Sequence, residues 1–543
     1  MKKYSLSVLI PARSEEWLAR TVQDILEHKE GNTEVIVGLD GQWAEPGIAD
    51  HEDVTIVYYS SSIGQRQMTN QLCKLSNAKY IMKVDAHCAF DQGFDVKMMN
   101  KMQDNWTMVP IMRNLHAFDW VCEDGHRRYQ GPSGPCKECG KETHKEVMWI
   151  AKKSPQSKSY SFDAEPHFQY FGDWCKRDHF KKDLEETDLT ETMSLQGSCF
   201  MLTRDKYWEL NISDNDTFGS WGSQGIEVAC KTWLSGGRVV VNHKTWYAHM
   251  FRTQGGDFGF PYPQSGRQVQ HAKKYAKKIF FEERWHKAIR PVSWLVERFW
   301  PVTYWKDEDL KALKEMEKKA WPTKGIIYYT DNQLSLKIAH AVQKRLRDIS
   351  AKKDIPIVSA SLKPMPKMGK NIHLPLKRGV ETYFKQIITA LENSTADVVY
   401  FCEHDVLYDP SHFDFIPLVK DKFYYNTNVW RWKYPEDLLV TWEANQVAEL
   451  CCYREKALKW YKDKLKEIEN GEFNRRYEPG GRDKNLYENW QSEFPNIDIR
   501  HGKNLTKSKW SERDFRDKTP FYSSWKETTL DKIPNNDSLK RMV

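Results

Sequence analysis

Along the first 90 residues, short apolar runs alternate with helical periodicity. Leu6 to Ile10 is an apolar run that ends at Pro11, and the spacing after it predicts a helix from about Glu15 to His28. Glu34 to Asp40 and Val54 to Tyr58 read as two further strands, and a helix follows around Gln65 to Ser76. The run Tyr80-Ile81-Met82-Lys83-Val84-Asp85-Ala86-His87-Cys88 reads as a strand that empties into an acid, a small residue and a histidine. Strands and helices in this alternation call for a parallel sheet with right-handed crossovers. Ligands of such sheets sit beyond the carboxyl ends of the strands. There this chain carries Pro11-Ala12-Arg13, Asp40-Gly41 and Asp85-Ala86-His87.

The pattern recurs after a stretch of helical character from Glu282 to Lys319. Gly325 to Tyr329 opens a strand, Leu334 to Arg347 is helical, Ile355 to Ala360 is a strand and Gly379 to Leu391 is helical. Asp397 to Cys402 then runs into Glu403-His404-Asp405. The echo extends to Asp91-x-x-Phe94 and Asp409-x-x-x-Phe413, which fits either a duplicated sheet or convergent strand-end chemistry. The expected fold class is α/β, with two Rossmann-like mixed-sheet domains over residues 1–285 and 321–543 and a helical linker over 286–320.

Composition agrees with more than one domain, since 543 residues exceed what a single core usually supports. With 40% apolar and 29% charged residues, and 22 Trp, 25 Tyr and 24 Phe, the chain is too aromatic for a disordered protein and too polar for a membrane-embedded one. No stretch approaches the ~20 apolar residues of a membrane helix. The N-terminal apolar run is a core strand rather than a signal peptide, so the expectation is a cytoplasmic protein without a membrane span. The net charge of +7 admits an anionic substrate but does not by itself argue for nucleic acid, and the basic run Arg267 to Arg290 reads as the solvated face of a helix.

Two clusters carry metal chemistry. Residues i and i+2 of an extended chain point to one side, so Asp85 and His87 make a platform for a hard metal ion. Eleven unevenly scattered cysteines do not suggest a disulfide framework. Cys122-x3-His126 followed by Cys136-x2-Cys139 instead has the spacing of a tetrahedral structural zinc knuckle near residues 120–145, with His144 a rival for the fourth position.

Four ordered motifs resemble a known family. Ser7 to Leu18 with Thr21-Val22 resembles the opening strand and helix of glycosyltransferase family 2 and of the polypeptide N-acetylgalactosaminyltransferases. Gly64-Gln65-Arg66 and Val84-Asp85-Ala86-His87-Cys88 resemble their nucleotide-sugar region, Phe218 to Val228 their acceptor-side segment, and Ala248-His249-Met250-Phe251-Arg252 their metal-histidine segment. The resemblance implies a GT-A-like fold and transfer of a sugar from a nucleoside-diphosphate sugar, a UDP-sugar, to an acceptor hydroxyl. It implies that Asp85, His87 and His249 hold Mn²⁺ or Mg²⁺, with imidazoles suiting Mn²⁺ better. Pro11, Arg13, Asp40, Arg66, Asp85 and Arg252 would contact the donor. Trp221, Gln224, Glu227 and Asp257 would be the catalytic candidates: Gln224 stands where the family usually has Glu, so a base cannot be assumed there, Glu227 is either catalytic or structural, and Asp257 lies on a glycine-rich loop that is either a lid or a plain connection.

The second half also looks like a GT-A-like domain. Glu403 and Asp405 are expected on one side of the strand end, with His501 as a late partner, which would make a second metal site and a second transfer centre. An acceptor-binding or structural role is the alternative. Asn428-Val429-Trp430-Arg431-Trp432 offers either a sugar platform or core aromatics. Rival readings are a zinc-containing nucleic-acid-binding protein, a transferase that glycosylates modified DNA bases and a sugar-binding module without catalysis. Glycan, protein, lipid-linked carrier and modified nucleic acid are all open as acceptors.

Overall fold

Leu6 to Ala12 is buried at every position, as a parallel strand covered by helices on both faces must be. The computed structural model describes residues 4–252, 259, 266–473, 478–481, 483–501, 515–520 and 522–533, and divides the chain into unit 1, Met1–Ala320, and unit 2, Trp321–Val543.

Unit 1 begins β1 (Leu6–Ala12), α1 (Leu18–His28), β2 (Thr33–Asp40), β3 (Val54–Tyr59), α2 (Gln65–Leu75), β4 (Tyr80–Val84), β5 (Cys88–Phe90), α3 (Phe94–Asn100) and the long β6 (Trp106–Cys122). Next come β7 (Arg127–Tyr129), β8 (Thr143–Ser157), β9 (Tyr160–Phe162), β10 (Phe168–Tyr170), α4 (Asp178–Thr187), β11 (Leu189–Glu191) and β12 (Cys199–Thr203). The unit ends with α5 (Arg204–Glu209), α6 (Asn215–Phe218), α7 (Gln224–Leu234), β13 (Arg238–His249), α8 (Gly266–Lys277), α9 (Val292–Arg298) and α10 (Asp307–Ala320). Leu18, Thr21, Val22 and Ile25 recur at helical spacing, which gives α1 its inward stripe.

The main sheet is ordered β3-β2-β1-β4-β12-β6-β13-β11. β3, β2, β1 and β4 are parallel, β12 runs antiparallel between β4 and β6, and β13 returns parallel to β6. The order reverses direction at β1, which puts a switch point between the carboxyl ends of β1 and β4. The apolar run Tyr80 to Cys88 is not one strand: it breaks at Asp85-Ala86-His87, and β5 leaves β4's line to pair with the end of β13.

Unit 2 contains β14 (Lys324–Thr330), α11 (Leu336–Lys353), β15 (Ile357–Ser361), β16 (Lys370–His373), α12 (Val380–Glu392), β17 (Val398–Cys402) and β18 (Val406–Leu407). It continues with β19 (Phe423–Asn426), β20 (Val429–Lys433), β21 (Leu439–Thr441), β22 (Leu450–Tyr453), α13 (Arg454–Glu469), β23 (Tyr487–Trp490), β24 (Asn496–Arg500) and β25 (Lys526–Thr528). Its sheet order, β16-β15-β14-β17-β22-β19-β23, repeats the first seven strands of the unit 1 order, β3 to β13, direction for direction, with no counterpart of β11. β18 pairs antiparallel with β24, and β24 runs parallel to β20, as β5 does with the end of β13 and β13 with β6. In unit 1 the β6–β13 pair crosses both regions with a register shift between Asn242 and Trp246; in unit 2 the matching strands are split in two.

One expectation changes. Residues 286–320, read as a linker, lie inside unit 1: Val292, Leu295, Val296 and Phe299 are buried, and Arg298 is paired with Glu191. In the basic run, Ala272 and Ala276 are buried while Lys273 and Lys277 lie at the surface, bonded to His167 and Glu165. No described helix is long and apolar enough to cross a membrane.

Candidate active site

The loop Asp85-Ala86-His87 is pinned from several sides. The Asp85 amide donates to Ser198 O at 2.8 Å, and the Met250 amide donates to His87 O at 3.1 Å. Helix α1 holds the strand that follows: Thr21 Oγ1 accepts from the Cys88 amide, and the buried Asp24 accepts from the Phe90 amide and from Trp149 Nε1. His249, the last residue of β13, lies opposite Cys88 in register. Side chains 164 residues apart in sequence are thus brought to one point beyond the β1/β4 switch.

His87 Nε2 is 3.1 Å from His249 Nε2, which is 3.3 Å from Asp85 Oδ2. Adjacent ligands of an octahedral ion about 2.1–2.2 Å away stand about 3 Å apart, so the three atoms fit one face of such a shell. Glu15 Oε2 lies 3.2 Å from His87 Nδ1. A carboxylate can only accept there, so the proton sits on Nδ1 and the Nε2 lone pair faces the cluster. Burial pushes His249 down to about 4, which keeps its imidazole neutral, and its Nδ1 is buried with no hydrogen-bond partner. Burial would raise Asp85, but Lys83 foremost, with the two histidines, outweighs it and holds the carboxyl well below the usual range.

Lys83 and Glu15 were not picked out from sequence. Lys83 is buried in β4, bonded to Asp85 and, at 2.9 Å, to Gly197 O. A lysine inside an otherwise apolar strand was the available signal, because a buried ammonium needs an anionic partner. Arg252 is bonded to Glu15 and to Gly259 O, completing a chain of polar contacts from Arg252 through Glu15, His87, His249 and Asp85 to Lys83.

Other residues named from sequence sit as follows. Pro11 is buried in β1, and Arg13 is half-buried in the turn after it. Asp40 is fully buried at the end of β2 and accepts from Ser62 Oγ and the amides of Ile63 and Gly64, bracing the approach to α2. Gly64 has φ +90°, and a Cβ there would meet Ser220 Cβ at 2.7 Å. Arg66 and Glu227 are fully buried and bonded to each other at 2.8 Å. Glu227's other oxygen accepts from Lys231 and the Asp214 amide, so the acid is a strut between α2 and α7 with both oxygens engaged. Gln224 is buried and donates to Ser213 Oγ, while Trp221 is half-buried just before α7. Asp257 lies outside the described residues.

Residues 7–142 match the family model described as Glycosyl transferase family 2. The first unit carries a glycosyl transferase family 2 domain. Its sheet is a mixed one, as is the repeated sheet of unit 2. The chain is 23% identical over 207 residues to a Drosophila melanogaster protein assigned as a polypeptide N-acetylgalactosaminyltransferase 13, covering 38% of this chain and 30% of that one. Among solved structures it is similar to GalNAc-T7 with UDP, GalNAc and Mn²⁺ (15% identity, TM-score 0.36, covering 58% of this chain and 54% of the other). It is also similar to S. aureus TarS 1-349 (10% identity, TM-score 0.25, covering 45% and 60%). The chain thus spans under a third of the length of the fly relative.

In unit 1 the β6–β8 hairpin carries the cysteine cluster. Cys122, His126, Cys136 and Cys139 bring one ligand atom each within 4.8 Å of one another; His144 is in β8 opposite Val121, outside this group. Backbone donors, those of Cys139 and Glu138 first, lower Cys136 to about 6, a step towards the thiolate a metal requires. Beside His249 a cavity of about 390 Å³ is lined by Phe118, Tyr129, Lys145, Lys152 and Phe251.

In unit 2 the strand end gathers His404, Asp405 and His501, not the trio Glu403, Asp405 and His501. Glu403 instead accepts from Tyr329 Oη at 2.8 Å. Trp432 is fully buried, its Nε1 donating to Glu436 O, which makes it core.

Proposed function

We propose that unit 1 transfers a sugar from a nucleoside-diphosphate sugar, of the UDP class that the sequence resemblance implies, to an acceptor hydroxyl. The carrying observation is the convergence of Asp85, His87 and His249 at the switch point of a glycosyl transferase family 2 domain. These residues would hold a divalent ion, for which the two imidazoles favour Mn²⁺ over Mg²⁺. When bound, the ion stabilises charge on the departing diphosphate. The protein groups around it are balanced: Lys83 and Arg252 offset Asp85 and Glu15. A dication added there is complemented by a diphosphate rather than by further side chains.

The acceptor oxygen bonds to the sugar's anomeric carbon as the bond from that carbon to the diphosphate oxygen breaks. Glu227 has both oxygens engaged and Gln224 is an amide, so neither serves as the base, and in this reading the acceptor proton goes to the departing diphosphate oxygen or to the carboxylate of Asp257. The cavity beside His249 receives the acceptor, its rings stacking on sugar or aromatic faces and Lys145 and Lys152 favouring an anionic group. Cys122, His126, Cys136 and Cys139 would hold a structural zinc that closes the hairpin tip.

The test is to incubate the purified chain with Mn²⁺ and a panel of nucleotide sugars and to measure released nucleoside diphosphate. Release from one donor is expected; silence across the panel, with correctly folded protein, contradicts the reading. Elemental analysis checks the hairpin separately: one equivalent of zinc is expected, lost in Cys136→Ser.

A further inference from the structure

We propose that unit 2 carries a divalent transition-metal site of its own, formed by His404, Asp405 and His501, the first two lining a cavity of about 170 Å³. The inference goes beyond the reading of unit 1 and does not depend on it.

The first support is position. The registers β1/β4 and β14/β17, and the three-residue breaks before β5 and β18, place Glu403-His404-Asp405 where unit 1 has Asp85-Ala86-His87. The same neighbour holds both loops: the Ile499 amide donates to Asp405 O at 2.8 Å as the Met250 amide does to His87 O. The turn after the first strand repeats as well, with Ser14 at φ 51° and Asn332 at φ 57°. Unit 2 therefore presents a loop of the same shape at the same switch point.

Chemistry is the second support. Each unit offers two imidazoles and one aspartate, yet from different positions, since Asp498 rather than His501 stands in register where unit 1 has His249. His501 Nε2 is 3.3 Å from Asp405 Oδ2, close to the spacing in unit 1. His404 Nδ1 lies 2.7 Å from Thr330 Oγ1, a hydroxyl that orients the ring and leaves Nε2 for an ion, as Glu15 does for His87.

The surroundings decide what the site takes. Five carboxylates and two guanidinium groups line the cavity among the described residues; Arg378 is paired with Asp331 and Arg500 with Asp498. An acid-rich wall attracts a dication without help from a phosphate. The cavity then leaves room for an oxygen ligand on the ion's open face, bounded by Tyr383 and the start of α12.

The experiment is a Mn²⁺ titration of the full-length chain without nucleotide, read by electron paramagnetic resonance, on wild type, Asp85→Ala, His404→Ala and His501→Ala. Wild type and Asp85→Ala should bind the ion equally in this site, and both histidine variants should lose one equivalent. Asp405→Asn, nearly isosteric, guards against misfolding: it should lose the same equivalent while its thermal midpoint without metal stays that of wild type. Unchanged stoichiometry in all three unit 2 variants overturns the proposal. Loss in Asp85→Ala alone overturns it too, while supporting the metal reading of unit 1.

Discussion

At the end of β4, Asp85 shares its charge with a buried lysine; at the matching end of β17, the residue in Lys83's place is Phe401 and acids crowd the cavity instead. The seven strands the two main sheets share run in the same order and directions, so the fold supplies a place for a ligand but not its charge. Unit 1 brings a neutral set of groups to that place and invites an anion with its metal. Unit 2 brings an acidic set that suits a cation alone. Two loops of one shape thereby acquire different chemistry through a handful of side chains.

The strongest way to break this comparison is mechanical. Glu227 is fully buried between Arg66 and Lys231, and removing one partner of a buried ion pair typically costs about 3–5 kcal/mol. Glu227→Ala should destabilise unit 1 by that amount in a denaturant titration while leaving the unfolding of unit 2 unmoved. A shift in unit 2 as well would show that the two are not independent folding units.

A smaller effect tests the assignment of residues 286–320 to unit 1. Burial raises Glu317, which accepts from the Ser293 amide, from 4.5 to about 7. Between those values the folded state holds a proton that the unfolded state has released, so stability falls as pH rises through this window and is level above it. Glu317→Gln should remove the fall, being about 3 kcal/mol more stable than wild type at pH 8 and equal to it at pH 4. A pH-independent difference would place Glu317 in solvent.

The smallest effect sharpens the contrast at the site itself. Lys83→Met removes the cation that competes for Asp85 and should tighten Mn²⁺ binding at unit 1 by about tenfold, about 1.4 kcal/mol, bringing it towards the behaviour of unit 2. Weaker binding would mean that Lys83 positions Asp85 rather than competing for it.

Strand ends, helix spacing and the Cys/His cluster were legible in the sequence, because each is written in residues close together. Asp85 and His87 lie two apart, and the apolar runs of β1 and β14 end where polar residues begin. What could not be read is which polar groups meet over long separations. Arg66 and Glu227 are 161 residues apart, and only the packing of α2 on α7 engages them with each other. Asp40 is likewise turned inward to the 62–64 loop. Register is the other hidden quantity: His501 follows a strand much as His249 ends one, yet the pairing of β18 with β24 puts Asp498 in the matching place.

The central claim is that Asp85, His87 and His249 form a sugar-transfer centre. Its most direct test is the rate of nucleoside diphosphate release with Mn²⁺ and the preferred donor, compared between wild type and Asp85→Ala and normalised to folded protein. The account predicts release in wild type and a loss of at least about 100-fold in the variant, as expected when a metal ligand is removed. Equal release from the two proteins would contradict it.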